Sequence, residues 1–160
     1  MEDIWNITAL VVSVLSVLLS LYALRQATTK NTSDMYLFFI SQYAKEDMKL
    51  ALRKLKDIKR GVYRLGQWES DMKNNLPKAF EYDEARRLVK YFYDTLAYMK
   101  LEKLIEARFV RLICLKKGAW LYLDTVEAME KFFDSGYDKK PYAVIRDVCE
   151  NLRKEGCCPP

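Results

Sequence analysis

Residues Ile4 to Leu24 read IWNITALVVSVLSVLLSLYAL, 21 positions in a row without a charge. A helix rises about 1.5 Å per residue, so this run would extend over about 30 Å, the thickness of a bilayer's hydrocarbon core. A buried helix of a globular domain is usually shorter and shows a polar stripe. A cleavable signal peptide fits less well still, because Met1-Glu2-Asp3 gives no basic flank and no small-residue cleavage pattern follows. The stretch reads as a retained transmembrane helix. Glu2 and Asp3 precede it, and Arg25 and Lys30 follow it. Basic residues favour the cytoplasmic side, so this asymmetry predicts a single-pass protein of the cell membrane, with residues 1–3 outside and the C-terminal domain in the cytoplasm.

Along the same helix, Ala9, Ser13, Ser16, Ser20, Ala23 and Ala27 recur every three or four residues. Small residues let helix backbones approach closely in lipid, and Ser hydroxyls bond across the contact. This seam predicts self-association of the span, or docking against a partner membrane helix. The plainer alternative is that the hydroxyls bond back to their own helix.

Beyond Leu24 the chain turns polar without a breaker, so residues 25–44 read as a juxtamembrane helical extension, with Asn31-Thr32-Ser33 as a candidate cap for a helix from Asp34. Residues 45–156 read as a helical domain. Lys45 to Arg60 places Met48, Leu52, Leu55 and Ile58 at helical spacing, and Gly61 and Gly66 mark a loop. Asp83 is placed to cap a helix from Glu84 to Lys100, and a further run extends from Ile105 to Phe133 with a break near Lys117-Gly118. Gly136 reads as a stop, Pro141 fits the first turn of a last helix, and that helix ends before Gly156. Residues 157–160 read as a frayed tail. The predicted fold class is all-α: one N-terminal transmembrane helix followed by a compact bundle of about four to six helices.

In the order of NTSDMYLFFISQY after the span, ARRLVKYFYDTLAYM, LIEARFV and GAWLYLDTVEAMEKFF, the chain resembles an uncharacterised prokaryotic family of single-span membrane proteins with an all-helical cytosolic domain. The resemblance implies topology and fold class. It carries over no catalytic or ligand-binding residue.

The chain has no histidine, which excludes Ser-His-Asp and Cys-His nucleophilic catalysis and the HExxH zinc motif. Its five glycines are scattered, so no phosphate-cradling loop forms. No catalytic, cofactor-binding or metal-ligating residue is singled out. The charge is local: eight basic residues (Lys45, Lys49, Arg53, Lys54, Lys56, Lys59, Arg60, Arg64) and three acidic ones lie between 45 and 64, an excess of five that equals the net +5 of the whole chain. Such a segment attracts anionic phospholipid or an acidic protein partner. Nucleic acid ranks behind both, because no nucleic-acid motif accompanies the charge. The alternative is a solvated helix face.

Of the cysteines, Cys114 reads as a small buried apolar residue, and Cys149 with Cys157-Cys158 lacks metal-ligand spacing. Glu102/Glu106 and Glu127/Glu130/Asp134 read as surface ion pairs with Lys103, Arg108 and Lys131, and Tyr91, Phe92, Tyr93 and Tyr98 as core and rim. The functional expectation is a membrane-anchored, non-enzymatic interaction or assembly protein that self-associates. The runner-up is an accessory subunit of a transport or respiratory membrane complex. A small-ligand sensor or enzyme ranks third, and would gain from a pocket in which Arg86, Arg87 and Asp94 converge.

Overall fold

The structure is a computed structural model that describes residues 16–23, 26, 33–133 and 137–157. It divides into two compact units, Met1–Leu37 and Phe38–Pro160. In the first unit, residues 16–23 and 33–37 are helical, and residues 16–23 are all exposed. Ser20 Oγ donates to the carbonyl of Ser16 at 2.8 Å. The bond back to its own helix is therefore the one this seam hydroxyl makes.

The expected membrane span is corrected here. Among the described residues no helix is long and apolar enough to cross a membrane. Residues 4–15 and Leu24 lie outside the described residues, as do Ala9, Ser13 and Ala27 of the seam and Asn31-Thr32 of the candidate cap. Among the described residues the fold class is all-α with no membrane-crossing helix, which argues against the single-pass, cell-membrane localisation.

The second unit is built around one long helix. Its elements are α1 (residues 38–44), α2 (Glu46–Lys59), α3 (Leu65–Lys73), α4 (Pro77–Leu101), α5 (Ala107–Cys114), α6 (Lys117–Leu121), a π-turn (Tyr122–Val126), α7 (Glu127–Phe133) and α8 (Lys140–Lys154). The helix α4 is 25 residues long, yet charges from Lys78 to Lys100 make it a helix for a protein interior and not for lipid. It packs against α2, α3, α5, α8 and the π-turn, burying Val89, Phe92, Tyr93, Leu96 and Ala97. Leu55 from α2, Ile113 from α5, Met129 from α7 and Ile145 from α8 are also fully buried. Each such aliphatic side chain taken from water contributes about 1.5–3 kcal/mol.

The start of α4 differs from the sequence expectation. Pro77 opens it, because a fixed φ and a missing N–H cost nothing in the first helical turn. Asp83 therefore lies inside the helix and is buried. The run expected from Ile105 to Phe133 is divided at Leu115-Lys116 and contains the π-turn. Gly136 lies outside the described residues. Four helix ends share one closure. The N–H groups of Val62, Leu76, Leu104 and Cys157 each reach back to the carbonyl five residues earlier, at 3.0, 2.9, 2.9 and 2.9 Å. The residue before each of them, Gly61, Asn75, Lys103 and Gly156, has positive φ. This is the Schellman stop, which satisfies the last carbonyls of a helix.

Trp68 is fully buried. Its Nε1–H donates to the Ala79 carbonyl at 3.2 Å, and its ring meets Phe132 and Phe133 edge-on at 5.4 and 5.6 Å, which joins α3 to the first turn of α4 and the end of α7. At Gly118 the backbone comes close to two tyrosines. The Gly118 N–H donates to Tyr43 Oη at 3.2 Å, and a Cβ there would lie 2.7 Å from Tyr93 Oη and 3.0 Å from Tyr43. Tyr93 is buried in the centre of α4 and cannot swing away. Gly118→Ala is expected to cost about 1–3 kcal/mol, despite the better helix propensity of alanine. Adding Tyr93→Phe, which removes a hydroxyl with no hydrogen-bond partner, should restore most of that loss. Urea denaturation of the two single variants and the double variant checks this; a double variant no more stable than Gly118→Ala would place the clash elsewhere.

Candidate functional site

Two features of the second unit draw chemical attention: a charged cluster inside the bundle, and a furrow on its surface. The cluster begins with Asp83 and Arg86, one turn apart on α4 and both buried. Arg86 Nε donates to Asp83 Oδ1 at 2.7 Å, and its Nη1 meets Glu130 Oε1 from α7. The guanidinium lies over the Phe133 ring, 4.7 Å from its centroid. Arg87 Nε reaches the other oxygen of Asp83 at 2.8 Å from the solvent side. One and two turns further along α4, Lys90 pairs with Asp94, and Tyr122 of the π-turn donates to the second Asp94 oxygen at 2.5 Å. Tyr122 stacks on Tyr142 of α8 at 4.5 Å with a 6° tilt. Glu127 accepts from Arg146 at 2.5 Å and from Tyr137 Oη at 2.9 Å.

Every carboxylate of this cluster is held by a cation, and Asp83, Asp94 and Glu127 are held from two sides. Desolvation of each ion is offset by the opposite charge beside it. Such groups are committed to one another, whereas a general acid or base needs a proton to exchange with a substrate. Burial, followed by the Asp94 carboxylate, pushes the Tyr122 hydroxyl far above its ordinary value. Burial does the same to Tyr142 and Tyr93. These hydroxyls stay protonated. Among the described residues no group of three His, Cys, Asp or Glu is placed to hold a metal ion.

Arg86, Arg87 and Asp94 do lie along one helix, but both arginines are held by Asp83, Asp94 is held by Lys90 and Tyr122, and none of the three lines the furrow. The expected surface pairs divide. Glu106 pairs with Arg108 at 2.7 Å and Glu127 with Lys131 at 3.8 Å. Glu130 is buried against Arg86 instead, and Asp134 lies outside the described residues. Cys114 and Cys149, from α5 and α8, are both buried, and the neighbouring Cys149 thiol together with burial raises the Cys114 thiol. Spacing did carry a signal for Asp83 and Arg86: two charges one turn apart on the face that also holds Ala79, Tyr82 and Val89 mark a buried pair.

The surface furrow runs between α1, α2 and α4. Phe39, Met48 and Phe92 form its buried floor, and Phe38, Leu88 and Tyr91 stand exposed along its rim. The hollow they enclose is about 290 Å³. A second hollow of about 210 Å³ continues along α2 and α4, sharing Asp47 and Leu88 with the first and ending at Lys54, Glu81 and Glu84. Lys54 pairs with Glu81 at 2.9 Å, which with the Asp47–Leu88 level sets α2 antiparallel to α4.

The eight basic residues of the 45–64 segment separate by helix face. Lys54 is drawn to Glu81, and Lys59 to Asp124 at 2.5 Å. Arg64 is the residue before α3. Lys45, Lys49, Arg53, Lys56 and Arg60 recur every three or four residues and are all exposed, so they form one stripe at α2. Glu46 pairs with both Lys49 and Arg53, at 3.3 and 3.4 Å. Lys45, Lys56 and Arg60 make no ion pair among the described residues. The stripe begins at Lys45, on the edge of the furrow.

Replacing Arg86 with Met strands Glu130 in the interior and should cost about 3–5 kcal/mol. Arg87→Met removes a partner that is 70% exposed and should cost less than about 1 kcal/mol; chemical denaturation distinguishes the two. The raised hydroxyls give the alkaline limb its sign. A tyrosine that ionises later in the folded than in the unfolded chain leaves stability intact below pH ~10 and reduces it as pH rises further. Tyrosinate absorbance should therefore show Tyr93, Tyr122 and Tyr142 ionising together with unfolding; their titration in the folded protein near pH ~10 would contradict that burial.

Comparison with known proteins finds no family model that matches the chain, and no similar curated protein or solved structure; the resemblance to a single-span family rests on its quoted residues alone.

Proposed function

We propose that the second unit is a non-enzymatic protein-interaction module, and that the furrow between α1, α2 and α4 is its docking face. One observation carries this reading. Phe38, Leu88 and Tyr91 stand exposed above an apolar hollow, while the cluster that resembles a chemical site is closed on itself by ion pairs. A contiguous apolar patch with an aromatic rim is costly to leave in water and marks a contact surface on a folded domain. Tyrosine and other aromatics supply much of the energy of such contacts. The shape suits a helix laid lengthwise, with apolar residues at intervals of three and four entering the groove. A hollow of about 290 Å³ sits at the lower edge of the size range of small-molecule pockets, about 300–1,000 Å³, and its floor presents no converging charges.

The test is site-specific photo-crosslinking of the full chain in its native cell. A photoreactive phenylalanine at position 38 or 91 should give a discrete crosslinked product, while the same group at exposed Glu150 of α8 should not. Equal labelling at all three positions, or none at positions 38 and 91, would overturn the docking face.

A further inference from the structure

The furrow has a repeat that its floor alone does not require. Leaving aside the buried floor residues Met48, Ala51, Ala85 and Phe92, the α4 residues that line it are Glu81, Glu84, Leu88, Tyr91 and Thr95, at intervals of 3, 4, 3 and 4. Along α2 they are Asp47, Leu50 and Lys54, at intervals of 3 and 4. An average step of 3.5 residues is the spacing that keeps a stripe facing a neighbouring helix in a left-handed bundle. Two antiparallel helices thus offer matched stripes on the side away from their own core. Half of a four-helix bundle has this appearance.

We infer that the occupant of the furrow is the same furrow of a second copy of this chain, so that α2 and α4 of each copy together complete a four-helix bundle. This rests on the furrow being a docking face. The order of side chains along it selects the arrangement. One end carries the aromatic rim of Phe38 and Tyr91, with Gln42, Lys45 and Asp47 beside it; the middle holds Leu50 and Leu88; the other end holds Lys54, Glu81 and Glu84. A two-fold axis across the furrow would set the aromatic end of one copy on the charged end of the other. A two-fold axis along the furrow sets like levels together. Aromatic rims then cover one another, the leucines meet in the middle, and Lys54 of each copy faces the acidic pair of the other. Glu84 makes no ion pair among the described residues, and this arrangement supplies its cation. Adjacent helices remain antiparallel throughout, as in an up-down bundle, and the interface is isologous, the form closed dimers take.

The basic stripe is a competing candidate for the same partner and is set aside by geometry. Lys49, Arg53, Lys56 and Arg60 line neither hollow of the furrow, and two identical stripes would repel. The stripe stays outside the four-helix bundle, free for solvent or an anion.

Sedimentation equilibrium of the full chain over a wide concentration range tests the inference. Wild type should sediment at twice the monomer mass. Leu88→Glu/Tyr91→Glu, which changes two exposed rim positions and should keep the helical circular dichroism of wild type, should weaken association by about a hundredfold or more. Glu150→Lys, on exposed α8, should leave it unchanged. A wild-type monomer at every concentration overturns the second copy as occupant. In that case, furrow crosslinks whose mass is that of a different protein would leave the docking face standing, and their absence would remove both. A dimer that persists undiminished in Leu88→Glu/Tyr91→Glu places the interface elsewhere and overturns the inference as well.

Discussion

The guanidinium of Arg86 is lodged between Asp83 on its own helix and Glu130 from α7, beneath the Phe133 ring. A charge taken that far from water must be neutralised on the spot, and here the neutralising groups come from both sides of the bundle. Glu130 reaches Arg86 across the gap between α7 and α4. The position of α7 in turn brings Phe132 and Phe133 against Trp68, and so fixes α3. Lys90, Asp94 and Tyr122 repeat the same logic two turns further on, with Tyr142 stacked behind them to hold α8. The polar side of α4 thus specifies which helices surround it, and its apolar side supplies the bulk of the stabilisation.

This division explains why the furrow stays open. A helix of 25 residues has more circumference than its neighbours cover. Toward α8 and the π-turn, α4 is enclosed by long side chains and ion pairs. Toward α1 and α2 the contact is made by Phe39, Met48 and Phe92 at depth, and the residues one position further round, Leu88 and Tyr91, have nothing above them within the unit. An exposed Tyr91 next to a buried Phe92 is a consequence of the 100° step between helix neighbours, at a point where the enclosing layer stops.

Much of the helix plan was legible from local chemistry. Gly61, Pro141 and Gly156 mark their boundaries because a stop in left-handed backbone, or a fixed φ in a first turn, depends on a few adjacent atoms. Asp83 misled for the same reason. An aspartate just ahead of an amphipathic run has the chemistry of a cap, and only the third dimension shows its oxygens already taken by Arg86 and Arg87. Tyr91 and Phe92 share one hydrophobic period, so the sequence cannot say which of them is covered. The Cys114–Cys149 contact and the Arg86–Glu130 pair join residues far apart in the chain and left no local trace. The uncharged run at Ile4 to Leu24 shows the limit of composition most sharply: it predicts a membrane span from length and hydropathy, and among the described residues no helix is long and apolar enough to cross a membrane.

The π-turn at Tyr122–Val126 carries one more residue than an α-turn would need between Leu121 and Glu127. Its backbone bonds skip five residues instead of four, so it acts as a phase correction in an otherwise regular screw. Everything after it is rotated by about one residue's step of 100° relative to a continued α-helix. Glu127 and Glu130 meet Arg146 and Arg86 because of that offset, and Tyr122 meets Asp94 from the turn itself. The charged interior of this bundle is therefore written in a frame set by a single extra residue. A shift of one position there would turn two carboxylates away from two arginines at once, without altering any of the four side chains.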